Sequence, residues 1–116
     1  MAEQNCIFCQ VVAGKISADI IYSDDRAVAF RDINPQAPVH ALVIPRAHME
    51  SLADATERDE AMLGHLLHVA ARVAAKEGLS QAGYRTIINT GAGAGQSVFH
   101  LHIHVIGGRP LVWPPG

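Results

Sequence analysis

The chain has 116 residues, 49% of them hydrophobic and 17% charged, with a net charge of −2. That length and balance predict one domain, residues 1–116, with a packed core, and exclude both a disordered polyelectrolyte and a two-domain enzyme. The absence of a basic run excludes the electrostatic footprint of a general nucleic-acid binder, so no nucleic-acid partner is expected. No apolar stretch reaches the ~18 residues of a membrane span. The first residues, MAEQNCIFCQ, lack the basic head and apolar run of a secretory leader, which predicts a cytoplasmic location with no membrane attachment.

Cys6-x-x-Cys9 comes first along the chain. In a reducing compartment this spacing reads as a metal half-site or a redox pair before a structural disulfide. Residues 7–13 predict a short helix, and Gly14-Lys15 a loop. Strands are predicted at 19–23 and 27–32 around the polar turn Asp24-Asp25. Asn34-Pro35-Gln36-Ala37-Pro38 reads as a loop, because residues before proline avoid the α region and proline cannot serve a central ladder. Residues 40–45 then give a strand whose Ala-Leu-Val-Ile run is apolar enough for burial on both faces.

The longest helix is predicted over 57–77. Thr56 caps it, acidic residues at 57, 59 and 60 favour its positive end, and Gly78 stops it. Leu63, Leu66, Leu67, Ala70, Val73 and Ala74 recur at three- and four-residue intervals as its buried stripe. His65 and His68 lie on this helix without a carboxylate or cysteine partner nearby, and read as solvated or edge residues. Residues 84–90 predict a strand, and the glycine-rich run 91–95 a mobile loop. The final strand contains His100-Leu101-His102-Ile103-His104-Val105, whose period of two sets three imidazoles on one face. Together these elements predict an α+β fold: about five mostly antiparallel strands, one long helix on a face and a short N-terminal helix.

Glycines without side chains let backbone N–H groups converge on an anion, and Asn89, Gln96 and Ser97 add neutral donors around the same opening. A plain hairpin tip has the same composition; what favours a phosphate site is the row of imidazoles that follows at once. On an ideal strand the outer two backbones stand roughly 13 Å apart, too far to share one ion comfortably. The three therefore have different tasks. A neutral imidazole, with an unperturbed pKa of about 6.5, is a competent nucleophile toward phosphorus when its second ring nitrogen donates a hydrogen bond. His102, flanked on both sides, is the candidate nucleophile. His104 would contact phosphate oxygens, His40 would support His102, and Ser97 would donate to the phosphate or the leaving group.

The motif His100-Leu-His102-Ile-His104-Val105 resembles the alternating histidine–apolar signature of the histidine triad superfamily of nucleotide hydrolases and transferases. Gln96-Ser97-Val98-Phe99, Gly107-Gly108-Arg109-Pro110, the segment from Asp32 to Pro45, Ile7-Phe8 and Trp113-Pro114-Pro115-Gly116 are similar to its nucleotide-binding branch. The resemblance implies hydrolysis of a purine nucleoside phosphoramidate, releasing a nucleotide and an amine, by a homodimer with no organic cofactor. It assigns His102 as nucleophile, His104, Asn89, Gly95, Gln96 and Ser97 to the phosphate region, and His40 to support of His102. Asp32 would accept from the ribose hydroxyls. Ile7, Phe8, Val11, Ile16, Phe30 and Ile33 would form the base slot, and the C-terminal tail would reach toward the partner subunit's site.

The cysteine pair is similar to that of bacterial members that carry a structural zinc, whose two other ligand positions match His48 and His100. A Cys₂His₂ set closes a tetrahedral sphere and leaves no place for water. Competing readings remain: dinucleotide polyphosphate hydrolysis or nucleotidyl transfer, a metal-dependent hydrolase with zinc on two triad histidines, and a nucleotide-binding protein whose turnover is incidental.

Overall fold

A computed structural model describes residues 5–116. Residues 1–4, part of the stretch read for a leader, lie outside the described residues. The chain forms α1 (Ile7–Val12), β1 (Ile20–Ser23), β2 (Ala27–Arg31), β3 (Val39–Pro45), α2 (Glu60–Lys76), β4 (Tyr84–Ile87) and β5 (Ile103–Gly107). The five strands make one antiparallel sheet in the order β1-β2-β3-β5-β4. This is the expected α+β arrangement.

Local chemistry sets the connections. The Asp24 carboxylate accepts the backbone N–H groups of Arg26 and Ala27, each at 2.8 Å, and so closes the β1–β2 turn. Thr56 accepts from the N–H of Arg58, and Asp59 accepts from the N–H of Thr56. The predicted cap therefore starts a 3₁₀ turn, Glu57–Asp59, and the α-helix proper begins at Glu60. Gly78, at φ +79°, ends the helix in the left-handed region.

Period-two alternation divides the core between the sheet's two faces. Ala27, Ala29, Ala41, Val43, Ile103 and Val105 pack with α2, whose buried stripe is Leu66, Val69, Ala70, Val73 and Ala74. Small alanines on the strands allow the helix a close approach. Val69 takes the place expected for Leu67, which is 52% exposed because the stripe follows 66, 69/70 and 73/74. On the opposite face Val28, Phe30, Leu42 and Ile44 pack with Cys6, Phe8 and Val11. His40 shares that face with Leu42, and the register pairs Leu42 with His104, so His40 and His104 are diagonal neighbours.

Two strand boundaries and the form of one loop differ from expectation. β4 ends at Ile87 rather than at 90, and β5 begins at Ile103, not at the first histidine. The glycine run, expected as a mobile loop, is a compact turn around Ala92–Ala94 pinned by buried Gln96. Gln96 accepts from the N–H of Gly91 at 2.8 Å and donates to the carbonyls of Glu50 and Val98. Among the described residues, no helix is long and apolar enough to cross a membrane.

Candidate active site and metal centre

The segment before β5 bends, and the Leu101 N–H donates to the Met49 carbonyl at 2.6 Å. The bend separates the three imidazoles that ideal alternation would align. His100 is fully buried, with its side chain at Cys6 and Cys9, and its backbone carbonyl accepts from His102 Nδ1 at 2.7 Å. A carbonyl can only accept, so Nδ1 of His102 carries the proton, and Nε2 of the neutral ring keeps its lone pair. Phe8 stands edge-on to the His102 ring at a centroid distance of 5.2 Å, and His104 lies 5.0 Å away. His102 opens onto a cavity of about 520 Å³ that Asp32, Ser97 and His104 also line.

A second chain of protons runs through His40. The backbone N–H of Gln36 donates to His40 Nδ1 at 2.9 Å, so in the neutral ring the proton sits on Nε2. That nitrogen lies 2.9 Å from His104 Nδ1 and 3.4 Å from the Asp32 carboxylate. His104 Nδ1 accepts, which leaves the proton of the His104 ring on Nε2, a buried atom with no partner among the described residues. Burial pushes the His104 pKa down to about 4, helped by the neighbouring His102 and His40. Burial also lowers His40, against the opposing charge of Asp32. His40 thus supports His104, not His102 as expected. Its strand register brings it to the third histidine, while the bend hands the second to a backbone carbonyl. The result is a ring nitrogen with a lone pair and a ring N–H on adjacent imidazoles, suited to attack an electrophile and to hold its oxygen.

The side chains of Cys6, Cys9, His48 and His100 converge so that one ligand atom from each lies within 4.8 Å of the others. His100 Nδ1 is 3.3 Å from Cys6 Sγ, 3.5 Å from Cys9 Sγ and 3.2 Å from His48 Nδ1. A tetrahedral ion with bonds of about 2.0–2.3 Å separates its ligands by about 3.3–3.8 Å, close to these spacings. The protonation also fits. His100 Nε2 donates to the Pro45 carbonyl at 2.8 Å, and burial lowers the ring's pKa, so Nδ1 presents a lone pair to the thiols. Two sulfurs and two imidazoles suit a borderline-soft tetrahedral cation. Asp32, His40 and His104 are as close to one another. Yet His40 Nε2 carries a proton because Nδ1 accepts from Gln36, and a protonated nitrogen cannot ligate.

A family model for the HIT domain matches residues 13–111. The chain belongs to the HIT family. Two uncharacterized HIT-like proteins are similar over nearly the whole length: one from Synechococcus elongatus, 54% identical over 97% of this chain and 98% of that protein, and one from Synechocystis sp., 52% identical over 100% of both. Among solved structures, a HIT family hydrolase from Legionella pneumophila is 45% identical with a TM-score of 0.94, covering 97% of this chain and 100% of that one. A histidine triad protein from Clostridium difficile is 41% identical with a TM-score of 0.90, covering 93% and 94% respectively.

In this HIT domain the expected residues divide among four places. Ile7, Phe8, Ile33, Gly95 and Ser97 line the 520 Å³ cavity with the histidines. Val11 and Phe30 are instead buried in the core behind it, and Ile16 packs on that same cluster. Asn89 lines an adjoining cavity of about 280 Å³ on the other side of His40 and His104. Gln96 shapes the loop rather than the cavity wall. Leu42, Val98, Asn34 and Gln36 line the site without having been foreseen. Leu42 was accessible to the period-two rule, being two residues from His40; Gln36 acts through its backbone, which leaves no side-chain signal. The tail brings Pro115 into the 280 Å³ cavity beside His104 of its own chain, whereas the resemblance sent it toward a partner.

His65, read as an edge histidine, binds the Asp24 carboxylate at 2.6 Å and ties α2 to the β1–β2 turn, while His68 is exposed. Burial of Asp24 would raise its pKa, but hydrogen bonds from Arg26, Tyr22, Ala27 and His65 hold it well below the usual carboxylate range.

Proposed function

We propose that this HIT protein is a purine nucleoside phosphoramidase, hydrolysing the P–N bond of an AMP-amine type substrate through a nucleotidyl-His102 intermediate. The observation that carries the reading is the His102 Nδ1 to His100 carbonyl bond, which leaves Nε2 nucleophilic in the cavity. In the first step Nε2 attacks phosphorus, the P–N bond to the amine breaks, and the amine leaves with the electron pair and takes up a proton. In the second step water attacks the same phosphorus and gives up a proton, which offsets the one the amine took, the P–N bond to His102 breaks with its electron pair returning to Nε2, and the nucleotide is released. His104 Nε2–H, Ser97 and Asn89 hold the phosphate oxygens on which charge develops. Gly95 borders the phosphate, and Asp32 accepts from the ribose hydroxyls beside a base slot of Ile7, Phe8 and Ile33.

No lysine or arginine among the described residues lines either cavity. A polyphosphate leaving group would bring several negative charges there, so this lining favours an uncharged amine over a dinucleotide polyphosphate. The Legionella relative's description as a hydrolase supports the same class.

Cys6, Cys9, His48 and His100 would hold a zinc ion, whose chemistry there is structural: four protein ligands leave no open position for substrate. β4 is an outer strand of the sheet among the described residues, which supports a homodimer, since an outer antiparallel strand is a ready pairing surface. Residues 1–116 are read as a single cytoplasmic HIT domain. A panel of adenosine and guanosine phosphoramidates with varied amines, run beside a diadenosine polyphosphate, tests the reading. It expects kcat/KM at least tenfold higher for a phosphoramidate; preference for the dinucleotide would overturn it.

A further inference from the structure

We propose that Arg109 is a positioning residue for this site. It docks a loop whose backbone dictates where the protons of His40 and His104 reside. The Arg109 guanidinium donates to the Gln36 carbonyl at 3.1 Å and also to the Pro110 carbonyl at 3.1 Å. One α-carbon away, the Gln36 N–H donates to His40 Nδ1, His40 Nε2–H donates to His104 Nδ1, and the His104 proton is left on Nε2. An arginine outside both cavities at the histidines thereby reaches the reacting imidazoles through two peptide groups and one ring.

A second contact docks the same loop. Gly108 has φ +91°, and a Cβ built there would stand 2.9 Å from the Cβ of Pro38. Glycine is required both for that backbone conformation and for the approach of Pro38 to the end of β5. Within the loop, the Asp32 carboxylate accepts the Asn34 N–H at 2.8 Å and the Gln36 side chain donates to the Asn34 carbonyl. Proline at 35 and 38 stiffens what these bonds join. The loop is an internally braced unit, and Arg109 and Gly108 fix its placement on the sheet. If it shifts, His40 loses the donor that makes Nδ1 the acceptor. Its tautomers then become comparable in energy, and the tautomer with the proton on Nδ1 cannot donate to His104.

The test compares wild type, Arg109→Ala, Arg109→Lys and Gly108→Ala. Long-range proton–nitrogen NMR distinguishes protonated from bare ring nitrogens in His40 and His104, and kinetics uses one adenosine phosphoramidate. Wild type should show single tautomers with the proton on Nε2 of both rings. Arg109→Ala should move both rings toward a tautomer mixture and lower kcat about fivefold, with KM within twofold. Arg109→Lys should recover part of both signals, and Gly108→Ala should reproduce the tautomer shift by an independent route. Wild-type spectra in Arg109→Ala would overturn the inference, as would a tautomer shift without loss of kcat or a rise in KM alone. The kinetic arm rests on the proposed activity, whereas the NMR arm does not. Absence of turnover by wild type would therefore defeat the phosphoramidase reading while the spectra still decide the relay.

Discussion

Two clusters in this molecule look alike by distance and differ in their protons. Cys6, Cys9, His48 and His100 form one, and Asp32, His40 and His104 the other; in both, the potential ligand atoms lie within 4.8 Å. In the first, the Pro45 carbonyl claims the Nε2 proton of His100 and turns a bare Nδ1 toward two thiols. In the second, the Gln36 N–H occupies Nδ1 of His40 and leaves a proton on the nitrogen that faces Asp32 and His104. One cluster presents bare ligand atoms that could hold a cation, and the other presents a ring N–H that donates to a neighbouring imidazole. Backbone donors and acceptors, more than the identity of the side chains, decide between them. His100 links the two regions, its side chain in the Cys6, Cys9 and His48 cluster and its carbonyl on His102.

The sharpest break in this comparison is expected from His102→Ala. Turnover of a phosphoramidate should fall by about 10³-fold or more, while metal content by elemental analysis stays at one ion per chain. The reverse pattern is expected from Cys6→Ser with Cys9→Ser: loss of the ion and a fall in unfolding free energy of about 3 kcal/mol or more in urea titration. Substitution of Asp32 by Asn should leave the ion in place.

Acidification should give a smaller effect of predictable sign. The folded pKa of His104 is about 4, below the 6.5 of an unperturbed histidine, so the unfolded chain takes up the proton first. Stability is then full above about pH 6.5 and falls as pH drops toward 4. The lowered pKa of Asp24 adds a further loss below its ordinary range, where the unfolded carboxylate protonates before the folded one. Urea midpoints across this range measure both. The smallest expected effect is a null one: zinc titration into metal-stripped protein should saturate at one equivalent. A second equivalent abolished by His40→Ala would contradict the proton assignment at the Asp32 cluster.

Much of this was legible in the sequence because binary patterning and turn chemistry are local. The strand alternation, the Thr56 cap, the Gly78 stop and the cysteine spacing all act within a few residues. The histidine motif is instructive because it was only half legible. Its period of two imitates a strand, but His100 and His102 precede the ladder: the contact of Leu101 with Met49 bends the chain, and a ladder depends on a distant partner. The partner of His40 is hidden from local patterning for the same reason, since a separation of 64 residues is resolved only by the pairing of Leu42 with His104. Val11, Ile16 and Phe30 show the limit of apolarity as a signal, which is the same for a core residue and for a cavity wall. Gln36 marks another limit, because its contribution is an N–H that every residue except proline possesses.

Covalent trapping tests the central division of labour most directly. Wild-type protein mixed with a saturating adenosine phosphoramidate, quenched rapidly in alkali and mapped by mass spectrometry, should carry a nucleotidyl adduct on His102. His40, His100 and His104 should be unmodified. An adduct on another histidine, or turnover with no adduct on His102 at any quench time, would contradict the account.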